Sequence, residues 1–122
     1  MTGVVKIGMH EIEMTANAAT AYRYRNLFQQ DLYVQLQESI QGGKHSKVSL
    51  TDVIPRLGYV MALQSKGAEA CQRANFESFM EWLSQFEASE PLEAGNDIMD
   101  LYNAQRATTS TEKKEAGQLS EK

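Results

Sequence analysis

The residues Ile54, Leu57, Val60 and Met61 constrain this chain more than any other feature. Apolar residues at steps of three and four line one face of an α-helix. Such a face needs a second layer to bury it, so the rest of the sequence has to supply the cover. Phe76, Phe79, Met80, Leu83 and Phe86 repeat at the same spacing, behind an Asn75 suited to cap a helix. Each large apolar side chain taken out of water contributes ~1.5–3 kcal/mol, so this stripe is expected to be a main source of stability. Trp82 falls off its centre and is expected at a rim or in a contact.

Other segments complete the cover. Val4–Ile7 is β-branched and Glu11–Met14 alternates polar with apolar, which predicts a hairpin turning at Gly8-Met9-His10. A lone hairpin is marginal in water. Its apolar face therefore belongs on the helices or beside an edge on another subunit. Thr15 or Asn17 is placed to cap a helix through Ala18, Ala19 and Ala21, with Ala21, Arg25 and Phe28 near one face and Tyr24 beside them. Gln29-Gln30-Asp31 reads as a break. Leu32, Leu36 and Ile40, with Tyr33 alongside, form a second stripe that Gly42-Gly43 ends. After a polar loop at Lys44–Val48, the central helix is expected to start at Ser49 to Asp52. Asp52 as N-cap would place Pro55 in the first turn, where its missing N–H costs nothing, while Pro55 disfavours a helical Ile54. Gly67 ends or bends that helix. Ala68–Arg73 reads as a short helix or a loop. Ser89-Glu90-Pro91 breaks the Phe76–Phe86 helix, and Asn96 or Asp97 starts a last segment with Ile98, Leu101 and Tyr102.

The expected fold is mostly α (α+β): a short N-terminal β-hairpin, then a bundle of about four to five helices. Residues 1–105 form one domain, and residues 106–122 are too polar to offset ordering entropy and form a flexible, disordered tail. With 122 residues and one cysteine, Cys71, the chain suits a reducing compartment. Its first residues lack the basic leader and apolar core of a signal peptide. No run approaches the ~20 apolar residues of a membrane span. A cytoplasmic protein is the expectation, with no membrane partner.

Charge is unevenly placed. Residues 74–105 hold no lysine or arginine and seven acids: Glu77, Glu81, Glu87, Glu90, Glu93, Asp97 and Asp100. This reads either as a solvated helical face or as a surface that meets a basic partner. Both argue against nucleic acid, which needs a positive stripe.

No catalytic, cofactor or metal site is expected. His10 and His45 are isolated, and a strand directs Glu11 and Glu13 away from His10. Cys71 reads as a small buried hydrophobe. Gly42-Gly43-Lys44 lacks the preceding strand of a phosphate loop. In the run Tyr22-Arg23-Tyr24-Arg25 the two tyrosines stand ~200° apart on a helix, so they make no single stacking platform. Tyrosines packed with polar tips, and arginines solvated or paired with the later acids, are the plainer reading. The alternative is a protein-contact patch, since Tyr, Trp and Arg are typical anchors. Tyr22, Arg23, Arg25 and Trp82 are its candidate residues.

Thr15–Leu32 reads T-A-N-A-A-T-A-Y-R-Y-R-N-L-F-Q-Q-D-L. It resembles the tail assembly chaperones of siphophages and prophages of Gram-positive bacteria. Asp52–Ala62, D-V-I-P-R-L-G-Y-V-M-A, adds a weaker similarity, and the likeness spans roughly the first 100 residues. The resemblance implies a small, largely helical interaction protein without catalysis. It implies binding to the tape measure protein, recruitment of tail tube protein, self-association, and work in the host cytoplasm. The alternative is a small acidic helical adaptor for a basic protein partner.

Overall fold

A computed structural model describes residues 1–41 and 50–104. The expected glycine stop at Gly42-Gly43, the Lys44–Val48 loop, His45 and the polar tail lie outside the described residues.

The chain opens with the hairpin. Strands β1 (Thr2–Ile7) and β2 (His10–Thr15) pair antiparallel, with Val5 opposite Ile12 and Ile7 opposite His10. His10 belongs to the strand, so the turn is Gly8-Met9 alone. Gly8 has φ 61° and Met9 does not share that positive φ, the pattern of a type II′ turn with glycine first. Alternation then sorts the side chains. Val5, Ile7 and Met14 are buried, while Val4, Lys6, Glu11 and Glu13 face outward.

Seven helices follow among the described residues: α1 (Thr20–Phe28), α2 (Leu32–Gln41), α3 (Leu50–Lys66), α4 (Ala68–Arg73), α5 (Phe76–Leu83), α6 (Glu90–Glu93) and α7 (residues 95–104). The number exceeds the four or five expected because two polar stretches coil. Ala68–Arg73 is a helix. Ser89-Glu90-Pro91 does not stop a helix but starts one, with Pro91 in the first turn of α6. The last helix begins at residue 95, ahead of Asn96.

Helix α3 is the centre. It packs against β2, α1, α2, α4, α5 and α6. Val53, Ile54, Leu57, Tyr59, Val60, Met61 and Ala62 are all buried, so its cover reaches well beyond the four-residue stripe. The helix includes Leu50, within the expected start at Ser49 to Asp52, and Asp52 lies inside its first turn instead of capping it. Pro55 therefore sits past the first turn, where a proline removes a backbone donor and costs helix stability. Burial of the flanking Val53, Ile54 and Leu57 outweighs that cost. Gly67, at φ 116°, ends α3 with its N–H on the Leu63 carbonyl at 3.1 Å.

Two close approaches lock α7 onto α3. A Cβ on Gly58 would stand 3.1 Å from Ile98 Cδ1, and one on Gly95 would stand 2.8 Å from Ile54 Cδ1. Each isoleucine thus lies over the other helix's glycine, which lets the backbones approach.

The Phe76–Phe86 stripe behaves differently from expectation. Phe79 and Phe86 are buried, but Phe76 and Met80 remain 54% and 37% exposed. The helix ends at Leu83, and Phe86 reaches the core from the following turn. Asn75 does cap α5: its Oδ1 accepts from Ser78 N–H at 2.8 Å, and Ser78 Oγ accepts from Asn75 N–H at 2.9 Å. Ser78 Oγ also lies 2.7 Å from the Tyr59 hydroxyl, which ties the cap to α3.

A chain of ring contacts then crosses the molecule. Tyr24–Phe28, Phe28–Phe79, Phe79–Tyr59, Tyr59–Trp82, Trp82–Phe86 and Phe86–His10 have centroids 5.0–5.3 Å apart. Tilted and edge-on pairs of this kind contribute ~0.5–1.5 kcal/mol each beyond their burial. They couple α1 to the hairpin through α3 and α5.

Candidate interaction surface

The opening of α1 sets the first part of the surface. The formal N-cap is Ala19, not Thr15 or Asn17, and it makes no side-chain cap bond. Asn17 acts one turn earlier: its Oδ1 accepts from Ala19 N–H at 2.9 Å and from Gln64 Nε2 at 2.9 Å. Thr20 Oγ1 donates to Gln64 Oε1 at 2.7 Å and accepts from Asn17 N–H at 2.9 Å. This fully buried threonine therefore fastens the start of α1 to the end of α3.

That anchor fixes which face of α1 turns inward. Thr20 and Tyr24, four residues apart, are fully buried, and Arg25 is turned out. Of the face read through Ala21, Arg25 and Phe28 with Tyr24 beside it, Ala21, Phe28 and Tyr24 pack into the core and Arg25 alone turns out. Polar partners also enter the core, and an apolar count does not register them. Tyr24 OH donates to Gln35 Oε1 at 2.6 Å, and Gln35 is itself buried. Burial pushes the Tyr24 hydroxyl pKa up, and the nearby Arg56 guanidinium opposes that shift. Arg56 also lies 5.5 Å over the Phe28 ring.

The break between α1 and α2 has a specific construction. Gln29 adopts left-handed φ 59°, ψ 32° and closes α1 with its N–H on the Arg25 carbonyl. Asp31 then caps α2, its Oδ1 accepting from Val34 N–H at 3.0 Å. The corner holds a shallow concavity of about 260 Å³ lined by Tyr22, Arg25, Asp31, Leu32 and Tyr33. At this concavity Tyr22 is 73% exposed and Tyr33 51% exposed. Arg25 approaches Asp31 at 3.7 Å. Its acidic partner is therefore the neighbouring cap, not the acids of residues 74–105.

The four candidate contact residues separate. Tyr22 and Arg25 share this corner. Arg23 points the other way, into a concavity of about 340 Å³ with Asn26, Leu63, Cys71 and Gln72. Cys71 is only half-buried there, not the buried hydrophobe expected, because α4 lies on the surface and buries none of its residues. Trp82 stands apart, half-buried between Tyr59 and Phe86, and borders a third concavity of about 380 Å³ beside β2. Tyr33 joins Tyr22 in lining this corner; read alongside the Leu32–Leu36 stripe, it stands about 100° off that stripe and is turned to the surface.

Among the described residues, no three His, Cys, Asp or Glu side chains gather as a metal site requires. His10 lies on the inward side of β2 with Ile12 and Met14, opposite in direction to Glu11 and Glu13. Among those residues, no helix is long and apolar enough to cross a membrane. No protein-family model, curated protein or solved structure matches the chain.

Proposed function

We propose that this protein is a phage tail assembly chaperone. It binds the tape measure protein, helps recruit tail tube protein in the host cytoplasm, associates with itself, and catalyses nothing. The observation that carries this reading is the wording of Thr15–Leu32, with Asp52–Ala62 in support. The geometry is compatible with it. The likeness falls on α1, the α1–α2 corner and α3, the elements that build the Tyr22 surface and the core beneath it. A helical client needs exposed aromatic anchors, and Tyr22 and Tyr33 offer them at one corner.

Size-exclusion chromatography with light scattering, on the chain alone and mixed with a tape measure protein, tests this. Co-elution and a mass above one chain are expected. Tyr22→Ala combined with Arg25→Ala should weaken co-elution without unfolding the protein, because both side chains are exposed. A strict monomer that never co-elutes overturns the reading.

The second reading is an acidic adaptor for a basic partner. It rests on residues 74–105, which carry seven acids and no base. Binding that vanishes at high salt favours it, since exposed charges are screened beyond a Debye length of ~8 Å at physiological ionic strength.

A further inference from the structure

The hairpin has an edge whose hydrogen-bonding groups can be assigned. Ala16 N–H donates to the Met1 carbonyl at 2.8 Å, and the Met1 ammonium donates to the Ala16 carbonyl at 3.0 Å. Met1–Ala16 is therefore a hydrogen-bonded pair. Such pairs alternate along an antiparallel ladder. With the observed register, Gly3–Met14, Val5–Ile12 and Ile7–His10 are hydrogen-bonded as well. The peptide groups of Glu11 and Glu13 consequently point away from β1. No backbone hydrogen bond from the described residues reaches them.

These same residues line the third concavity, opposite Ser65, Lys66, Trp82 and Gln85. The groove thus offers unused N–H and C=O groups on one wall and an indole on the other. Two carboxylates, Glu11 and Glu13, outweigh the single Lys66. Glu13 Oε1 accepts from Ser65 Oγ at 2.6 Å, which holds that carboxylate beside the end of α3.

We propose that this edge docks an extended, basic segment of a partner protein, which adds as a third strand beside β2. Main-chain bonds to Glu11 and Glu13 hold the strand. Lysine or arginine at alternate positions pairs with the two carboxylates across the new ladder, and the intervening apolar side chains, on the opposite face, lie towards Ile12 and the Trp82 ring. The assignment rests on the hairpin register and holds for any client, tape measure protein or not.

Amide hydrogen exchange on the full chain, with a synthetic peptide of alternating lysine and valine, tests it. The Glu11 and Glu13 amides should exchange at least ~10-fold more slowly with peptide present, and the single tryptophan, Trp82, should change its fluorescence. An alternating glutamate–valine peptide, or the lysine peptide interrupted by proline, should do neither. Glu11→Pro removes an N–H that the hairpin itself does not use, so circular dichroism should stay native while binding weakens about tenfold. Glu11→Gln keeps that N–H and should weaken binding less. Equal protection by the acidic peptide overturns the proposal, as does no protection at all. Protection in the peptide-free protein overturns it too: if it rises with protein concentration the edge belongs to a second copy, and if it does not the chain covers its own edge.

Discussion

Helix α3 is sunk in the molecule, whereas α5 lies across its surface. Both begin from apolar residues at helical spacing. In α3 the stripe widens into near-complete burial, from Val53 to Ala62. In α5 only Phe79 is buried within the helix, and Phe76 and Met80 meet solvent. The difference lies in the neighbours. α3 is flanked by β2, α1, α2, α4, α5 and α6, and α5 is held mainly through α3 and the rings of Tyr59 and Phe28. Periodicity shows that a helix has an apolar face. What covers that face is decided by the topology around it.

The largest expected effect separates the two helices directly. Leu57→Ala, at a fully buried site on α3, should destabilise the protein by ~2–5 kcal/mol through lost transfer energy and a residual cavity. Phe76→Ala, on the more apolar-looking stripe, should cost less than ~1 kcal/mol because over half of that side chain already meets water. Urea denaturation of both variants checks the pair. Equal costs would break the contrast drawn here.

The next prediction sharpens what surrounds α3. Gly95→Ala places a Cβ against Ile54 Cδ1 and should cost ~1–3 kcal/mol by overpacking. Ile54→Val deletes the atom that is struck. The double variant should therefore be more stable than the sum of the single changes requires, by ~0.5 kcal/mol or more in a thermodynamic cycle. Strict additivity would show that α7 does not pack on α3 as closely as these glycines indicate.

Much of this was legible from residue patterns, and its limits have physical causes. The hairpin showed through two-residue alternation, the α5 cap through Asn75, and the break through Gln29–Asp31. The start of α3 falls within Ser49 to Asp52 as read, but Pro55 lies beyond the first turn that its local preference favours, because local preference yields to burial. The burial of Thr20 on α1 and of Gln35 on α2 was not legible, because they enter the core as hydrogen-bond partners, of Gln64 and Tyr24 respectively. Those pairs join residues 44 and 11 positions apart, a distance at which no local rule acts. The Tyr22 corner was half legible: Tyr-Arg-Tyr-Arg marked the residues, but only the fold separates Arg23 and Trp82 from Tyr22 and Arg25.

Tyr24 offers a smaller effect with a pH signature. Tyr24→Phe leaves Gln35 Oε1 without its buried donor and should cost ~1–2 kcal/mol at neutral pH. Because burial raises the Tyr24 pKa, the folded state holds this proton more tightly than the unfolded state does. Its contribution is complete below the ordinary tyrosine pKa of ~10 and is lost as pH rises through the folded value. The stability gap between wild type and Tyr24→Phe should therefore narrow in alkaline denaturation series. A gap independent of pH would show that the hydroxyl is not withdrawn from water.

The smallest effect belongs to the exposed corner. Arg25 and Asp31 approach each other at 3.7 Å with both side chains substantially in solvent. Ion pairs of this kind are worth ~0–1 kcal/mol, so Arg25→Ala should change stability by no more than about 0.5 kcal/mol. Asp31→Ala should cost more, ~0.5–2 kcal/mol, because it also removes the acceptor for Val34 N–H at the start of α2. The asymmetry assigns Asp31 to holding the corner's shape and leaves Arg25 available for a partner. A tape measure protein that binds Arg25→Ala as tightly as wild type would remove Arg25 from the proposed contact surface and leave Tyr22 and Tyr33 to carry it.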